Sequence, residues 1–305
     1  MAVTARPSAA PAIVDERTAW ADALDATRRY LRRNPTLVVG LVLLGILLAF
    51  VVGGSFVADL SKARALSVRP LQPPSTTLWF GSDRQGRDLF AVMVSGTPLT
   101  LRMGLIAGFI GVAVGTLVAF VAAYYGGGVD VVVRGIVDIG LTIPGLMVLI
   151  VIAMSLKSGM TVDQMALVIA SLAWLTPARI IRSQVLTLKE RGYVQVARLS
   201  GVGGPEIIVK ELLPNLLPYL AAAFVTAVSG AILASVGLEV LGLGDFNSTT
   251  IGMTLYWVNY NAALLNGWWW WWVPPTVVII LLFMGLYFVS FGLDEFANPR
   301  LRRQV

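Results

Sequence analysis

Histidine and cysteine are both absent from the 305 residues, and this removes most of the site chemistry open to a chain of this length. Without histidine the commonest general base and metal ligand are missing, so a Ser-His-Asp triad and a zinc-protease motif are both excluded. Without cysteine there is no disulfide framework, thiolate nucleophile or Cys-ligated metal. No Gly-Lys pair occurs either, so there is no Walker-type phosphate loop, and any ATP the protein uses must be bound by another chain. The ionisable residues that fall inside apolar stretches are chiefly Asp138 and Glu239, and such groups contact a pathway, an ion or a subunit. No apolar stretch holds two paired carboxylates, which makes an intramembrane enzyme a weak reading.

The elements that position these residues follow from composition. The chain is 57% hydrophobic and 13% charged, with a mean hydropathy of +0.78; a soluble domain carries about twice that charge fraction. Apolar runs near 36–58, 101–124, 131–156, 164–183, 216–241 and 273–293 each reach the roughly 20 residues that cross a bilayer. The second and third hold several glycines or Pro144, and the fifth holds Ala221 to Ala223, Ser229 and Gly230. Small residues let helices approach closely in lipid, where hydrophobicity does not drive association. The fold class expected is therefore an all-α membrane protein with six transmembrane helices.

The net charge of +6 reads as a topology signal rather than as a nucleic-acid surface, because the basic residues collect beside the apolar runs. They crowd into 1–34, into the stretch from Arg179 to Lys210 and into the C-terminal Arg300, Arg302 and Arg303, whereas 242–272 has none. Both termini and 184–215 are thus expected in the cytoplasm. The loop 59–100 runs against this rule, with Lys62, Arg64, Arg69, Arg84 and Arg87 on the expected outer side. The first apolar run begins too late, and is too long, for a cleavable signal peptide; Trp20 to Arg33 reads instead as a short amphipathic surface helix. The run Trp268 to Trp272 reads as an interfacial belt, with stacking on a sugar as the sharper alternative. The expected organisation is a cytoplasmic segment 1–34, a first helix and outer loop 35–96, a core 97–293 and a cytoplasmic tail 294–305.

Between the fourth and fifth runs lies Tyr193-Val-Gln-Val-Ala-Arg-Leu-Ser-Gly201-Val-Gly-Gly-Pro-Glu-Ile-Ile-Val-Lys-Glu-Leu-Leu-Pro214-Asn215. Gly201, Gly203 and Gly204 allow a tight turn, and Pro205 suits the first position of a second helix. Pro214 is expected to end that helix and turn the chain back. This helix–turn–helix resembles the cytoplasmic EAA loop of ABC-importer permeases, whose pattern is Glu-Ala-Ala, three residues, Gly, then Leu-Pro. Ala197, Gly201, Leu213 and Pro214 match, while Gln195, Val196 and Glu211 depart from it.

Gly81-Ser-Asp-Arg-Gln-Gly-Arg-Asp88-Leu-Phe90 resembles a signature of the dipeptide/oligopeptide branch of that family, and Asp83, Arg84, Arg87 and Asp88 can pair locally there. Gly126-Gly127-Gly128-Val129-Asp130 with Arg134, Asp138 and Pro144, then Leu241-Gly-Leu-Gly244, then Asp294-Glu295 with Asn298-Pro299-Arg300, resemble further family segments in order, over roughly 30–303. One departure stands out. The family commonly has Glu at the place of Ser235, whereas this chain carries Glu239 one turn later on the same helical face.

The resemblance implies a C-type transmembrane permease subunit of an importer in a prokaryotic inner membrane. Its implied partners are a homologous second permease, two ATPase subunits that hold ATP and Mg, and an extracytoplasmic binding protein; this chain itself would bind no cofactor or metal. The coupling loop would comprise Ala197, Leu199, Ser200, Gly201, Val202, Gly203, Glu206, Leu213 and Pro214. The outer signature would comprise Gly81, Asp83, Gly86, Arg87 and Asp88, with Glu239 and Asp138 as pathway or subunit contacts. Glu239 would pair with the partner permease, line the outer mouth or reach the headgroups. Oligopeptides are the implied substrate, with oligosaccharides and metal chelates as alternatives. A stand-alone secondary transporter or channel is the rival reading.

Overall fold

The computed structural model describes residues 28–156 and 159–297, the last three without their side chains. Most of the amphipathic segment expected before Arg28, and the tail motif from Asn298 to Arg303, lie outside the described residues. The helices are α1 (Pro35–Val57), α2 (Leu89–Tyr125), α3 (Gly127–Thr142), α4 (Gly145–Ser155), α5 (Val162–Ala173), α6 (Leu175–Leu188), α7 (Gly192–Leu199), α8 (Gly204–Ile207), α9 (Leu213–Val240), α10 (Ile251–Tyr260) and α11 (Trp269–Ala297). Four continuous helices are long and apolar enough to cross a membrane, and two bent pairs bring the number to six.

Helix α2 is the axis of the bundle. Its 37 residues span about 55 Å, well beyond a hydrocarbon core of about 30 Å. It starts at Leu89, ahead of the expected 101. Ser95, Thr97, Pro98 and Thr100 interrupt the apolar run, but Ser95 and Thr97 donate back to the carbonyls of Ala91 and Met93 at 2.8 and 2.7 Å. Polar side chains satisfied within the helix do not end it.

Glycines on α2 set the packing. A Cβ at Gly104 or Gly108 would run into Ile232 or Val228 of α9, and one at Gly111 or Gly115 would run into Ala173, Trp174, Pro177 and Ala178 around the α5–α6 junction. The backbones of α9 and α6 therefore lie directly on α2, the close approach that small residues permit in lipid. Helix α1 lies along α11 in the same way, with Gly40 and Gly285 at the contact.

The third and fourth spans are broken. Helices α3 and α4 meet at 85°, and α5 and α6 at 41°. Pro144 lacks an amide hydrogen and holds Ile143 extended, so α3 cannot run on into α4. One expectation is reversed at Pro214. The helix does not end there, because the π turn Ile208–Leu212 joins α8 to α9 and the chain is helical from Gly204 to Val240. The Leu213 N–H reaches the Ile208 carbonyl across the π turn, and Pro214 follows in the first turn of α9, where a missing N–H is tolerated.

The connections gather at two ends. One end holds residues 28–34, the α2–α3 turn and the 189–212 segment; Tyr30 reaches the Gly292 carbonyl at 3.1 Å and Lys189 the Ala123 carbonyl at 2.9 Å. The opposite end holds 58–88, 159–161 and 241–268, tied by a bridge between Met160 and Gly244 and by Trp270 on the Ser82 carbonyl.

The glycine contacts give a direct test. A Cβ at Gly108 would lie 2.7 Å from Val228 Cγ2 and 2.9 Å from its backbone nitrogen, whereas nothing lies within 4 Å at Gly45. Thermal melting of detergent-solubilised protein should show Gly108→Val losing about 1–3 kcal/mol, and Gly45→Val staying within about 0.5 kcal/mol of the parent.

Candidate coupling site and the polar clusters

The segment from α7 to α9 is firmly held at its base and open at its tip. Val194, Ile207, Leu212 and Leu216 are buried against Ala119, Phe120 and Ala123 at the end of α2. Tyr124 adds a second anchor, with the Arg198 guanidinium 5.3 Å from its ring centre and Gly204 packed on its edge. Helix α7 stops through paired hydrogen bonds from Gly201 N–H to Arg198 and from Val202 N–H to Ala197, at 3.0 and 3.1 Å. This Schellman arrangement needs a left-handed residue at its bend, and Gly201 has φ +80°.

Beyond that bend the surface is free. Leu199 is 89% exposed and Val196 63%, Ser200 and Gly203 are exposed, and a Cβ on Gly201 would meet nothing within 4 Å. The glycine is required by its backbone angle and not by crowding. Glu206 and Lys210 pair at 2.7 Å on the exposed side of the second helix, where water screens the contact and it contributes little. Leu213 packs partly on the buried cluster, and Pro214 is exposed. The expected loop residues thus form one element: an anchored elbow with an apolar tip.

The Gly81–Asp88 segment lies at the opposite end and is buried rather than solvated. Asp83 and Arg87 form an ion pair of 2.6 Å, with side chains 0% and 3% exposed, and the Arg87 N–H donates to the second Asp83 oxygen at 2.9 Å. Asp88 does not join them. Its carboxylate caps α2 through Phe90 N–H at 2.9 Å, and burial pushes its pKa up against that capping bond. Arg84 is exposed and is in no ion pair among the described residues, so one pair forms where four charges were expected to pair. Gly86 takes φ +70° with the Val68 carbonyl packed against its Cα, where no side chain fits.

Asp138 belongs to a ladder between α3 and α6. It meets Arg179 at 3.0 Å and Arg134 at 3.4 Å, while Asp130 binds Arg182 through two bonds of 2.6 and 2.5 Å. The ladder fastens the broken third span to the fourth.

Glu239 is 2% exposed, so in this arrangement of the chain its carboxylate faces neither headgroups, nor an outer mouth, nor a partner surface. Its Oε1 accepts from the Thr250 hydroxyl at 2.7 Å. Thr250 is the cap of α10, and the next amide, Ile251 N–H, donates to Thr100 on α2 at 3.0 Å. Thr100, Thr250 and Tyr124 were not picked out by sequence reasoning and had no local signal, while Asp130 stood within the quoted glycine motif without an assigned partner. The tryptophan run is divided: Trp271 is fully buried and stacks on Trp268, Trp268, Trp270 and Trp272 are half-buried, and Trp269 is exposed. The belt expected there loses Trp271 to the interior.

Helices α4, α5, α6 and α9, with Asp294 of α11, line an open cavity of about 720 Å³, mostly apolar, running from Leu146 and Ala234 to Gln184, Tyr219 and Asp294 at the coupling-loop end. Among the described residues, no group of three or more acidic side chains is placed to hold a metal ion.

The Asp83–Arg87 pair can be tested by a double-mutant cycle. Asp83→Leu leaves a buried arginine uncompensated and should cost about 3–5 kcal/mol, while Asp83→Leu with Arg87→Met should recover most of that loss. A double variant no more stable than the single one in thermal melts would contradict the pairing.

Comparison with known proteins agrees with this architecture. Residues 111–303 match the family model described as binding-protein-dependent transport system inner membrane component. The chain is 34% identical over 220 residues to the dipeptide transport system permease protein DppC of Bacillus subtilis, covering 72% of this chain and 68% of that protein. It is 30% identical to the oligopeptide transport system permease protein OppC of Mycobacterium tuberculosis, over 57% of this chain and 60% of the relative. Its fold matches a chain of the MetNI methionine ABC transporter in an inward-facing conformation, with a TM-score of 0.54 and 21% identity, covering 68% of this chain and 94% of that one. The chain therefore belongs to the binding-protein-dependent transport system inner membrane component family, the membrane permease subunits of ABC importers.

Proposed function

We propose that this chain forms one wall of an oligopeptide import pathway and receives its drive from separate ATPase subunits through the tip of α7. The anchored elbow carries the proposal: its base is part of the bundle, and its exposed Leu199, Ser200 and Gly201 make almost no contact within the chain. Exposed apolar groups on a rigid support suit docking into a groove of a partner. A homologous second permease completes the pathway, two ATPases hold ATP and Mg, and an external binding protein delivers the solute. Closure of the ATPases moves the elbow and the ends of α2, α6 and α9 as one body.

The charge distribution supports an orientation with the elbow and both termini in the cytoplasm. Arg28, Arg29, Arg32, Arg33, Lys189, Arg191 and Arg198 lie at that end, and 242–268 at the opposite end carries no cation. The basic residues of 59–100 run against it, and the pairing of Arg87 with Asp83 and of Lys62 with Asp59 offsets this little, because the rule counts Lys and Arg and not net charge. The peptide assignment rests on the dipeptide and oligopeptide names of the relatives. The alternative of sugar stacking on the tryptophan run loses Trp271, which is buried.

Leu199→Asp tests the docking. The residue is 89% exposed, so thermal stability should change by less than about 0.5 kcal/mol. Co-purification of the ATPase subunits and import of labelled peptide should both be lost. Retention of both would remove the elbow from the coupling route.

A further inference from the structure

The cations of the loop between α1 and α2 stand on the side of the membrane where the positive-inside rule disfavours them. Segment 59–88 carries Lys62, Arg64, Arg69, Arg84 and Arg87 against Asp59, Asp83 and Asp88. All three acids are engaged. Asp59 lies 3.9 Å from Lys62 and accepts from Ser61, Asp83 holds Arg87, and Asp88 caps α2. Arg64, Arg69 and Arg84 are left over, each exposed and in no ion pair among the described residues.

The backbone that carries them is fixed. Stretches 66–71 and 83–86 run side by side: Leu66 N–H donates to the Gln85 carbonyl at 2.8 Å, Ser67 and Val68 to Gly86 at 3.0 Å, and Leu71 to Asp83 at 3.0 Å. The Ser67 hydroxyl lies 2.7 Å from the Arg64 carbonyl, and the Ser82 hydroxyl donates to the Arg69 carbonyl at 2.6 Å. Asp88 N–H donates to the Lys62 carbonyl at 2.9 Å and fastens this frame to the start of α2. Two leucines in the frame take left-handed angles, Leu66 at φ +63° and Leu71 at φ +55°, a costly conformation for a bulky side chain. Leu71 recovers the cost by packing against Leu89, Val258, Ala263 and Trp271. Leu66 recovers nothing within the chain, because it is 88% exposed. A scattered exposed leucine is ordinary, but one held out on a strained, hydrogen-bonded frame is placed for a contact. Arg64 and Arg69 flank it in the chain, and Arg84 adjoins Gln85, its backbone partner.

We propose that Leu66, with Arg64, Arg69 and Arg84 beside it, forms the docking surface for an acidic face of the external binding protein. The inference rests on the reading that places this loop outside, in a family described as binding-protein-dependent. An apolar centre with arginines at its margin is the composition of a protein contact, and guanidinium groups grip carboxylates through paired hydrogen bonds. Guanidinium groups grip the phosphates of anionic lipid as well, so the cations alone do not select the partner. The frame and Leu66 select it. Fluid headgroups require neither a fixed spacing of cations nor a strained apolar residue, whereas a folded partner uses both. Surplus positive charge also speeds the approach of an acidic surface and repels basic ones. The transported solute is not the ligand here, since none of residues 58–88 lines the cavity.

The test uses the assembled importer in phosphatidylcholine nanodiscs and the purified binding protein that stimulates its ATPase. Arg64→Gln, Arg69→Gln and Arg84→Gln should each weaken binding about threefold, and together about thirtyfold, mostly through slower association. Raising salt from about 0.05 to about 0.5 M should weaken binding to the parent complex and hardly alter that of the triple variant. Leu66→Asn supplies a residue that tolerates the left-handed angle. It should weaken binding too, while thermal stability stays equal or rises. The ATPase subunits should co-purify with every variant. Unchanged affinity in the triple variant and in Leu66→Asn overturns the docking surface and leaves the import reading intact. If the arginine variants change only the dependence of transport on added phosphatidylglycerol, the cations serve the membrane, and the docking surface is overturned. The orientation is checked separately with Ala65→Cys, at an exposed position on the same frame, which should react with an impermeant thiol reagent on intact cells. Labelling only after the cells are opened overturns the outer placement of the loop, and the docking surface with it.

Discussion

The structure depends on how closely helices can approach α2. In a bilayer, apolar side chains gain nothing by leaving lipid for one another, so association relies on packing area and hydrogen bonds. Glycines 104, 108, 111 and 115 remove the side chains that would hold α9 and the α5–α6 span away from α2. Once those backbones are in contact, the two longest polar connections of the chain are fixed at opposite ends of a single rod. The elbow packs on Ala119 to Tyr124 at one end, and the buried Asp83–Arg87 segment leads into Leu89 at the other. A helix of 37 residues is long enough to serve both.

The two ends treat polar groups in opposite ways. At the elbow, charges are exposed, and the ion pair Glu206–Lys210 contributes little. What matters there is apolar anchoring beneath an open tip. At the far end the polar groups are buried and held by specific partners: Asp83 by Arg87, Asp88 by the first amides of α2, Thr100 by the Ile251 amide and Glu239 by Thr250. Buried polar contacts of this kind lose stability when one partner is removed, and they specify one arrangement of loops. Between the ends, the Asp130–Arg182 and Asp138–Arg179 pairs hold the bent third span against α6 without burying it.

Much of this was legible in the residues. Hydropathy located the four continuous spans and the two bent pairs, the glycine and proline spacing located the elbow, and the ordered motifs pointed to the family. Three features were hidden for physical reasons. The start of α2 was obscured because Ser95, Thr97 and Thr100 look like loop residues until their hydroxyls are seen bonding carbonyls or capping a neighbouring helix. The continuity of α9 through Pro214 needed a π turn, which no local pattern announces. The partner of Glu239 lies eleven residues on, across a turn, so spacing could not reveal it. Within the tryptophan run only Trp271 departs from an interfacial place: an interfacial preference describes isolated rings, and Trp271 is fixed by packing with Leu89, Val258 and Ala263.

The central claim is that the elbow and α2 move as one body, so force applied at the tip of α7 reaches the whole bundle. Spin labels on introduced cysteines at Ser200, on the tip, and at the exposed Phe109, on α2, would measure this by pulsed electron resonance in the assembled importer. The account predicts that their separation changes by less than about 2 Å between nucleotide-free and ATP-bound complexes. A change of more than about 5 Å, the size of a one-turn helix displacement, would show the elbow swinging free of α2 and would contradict it.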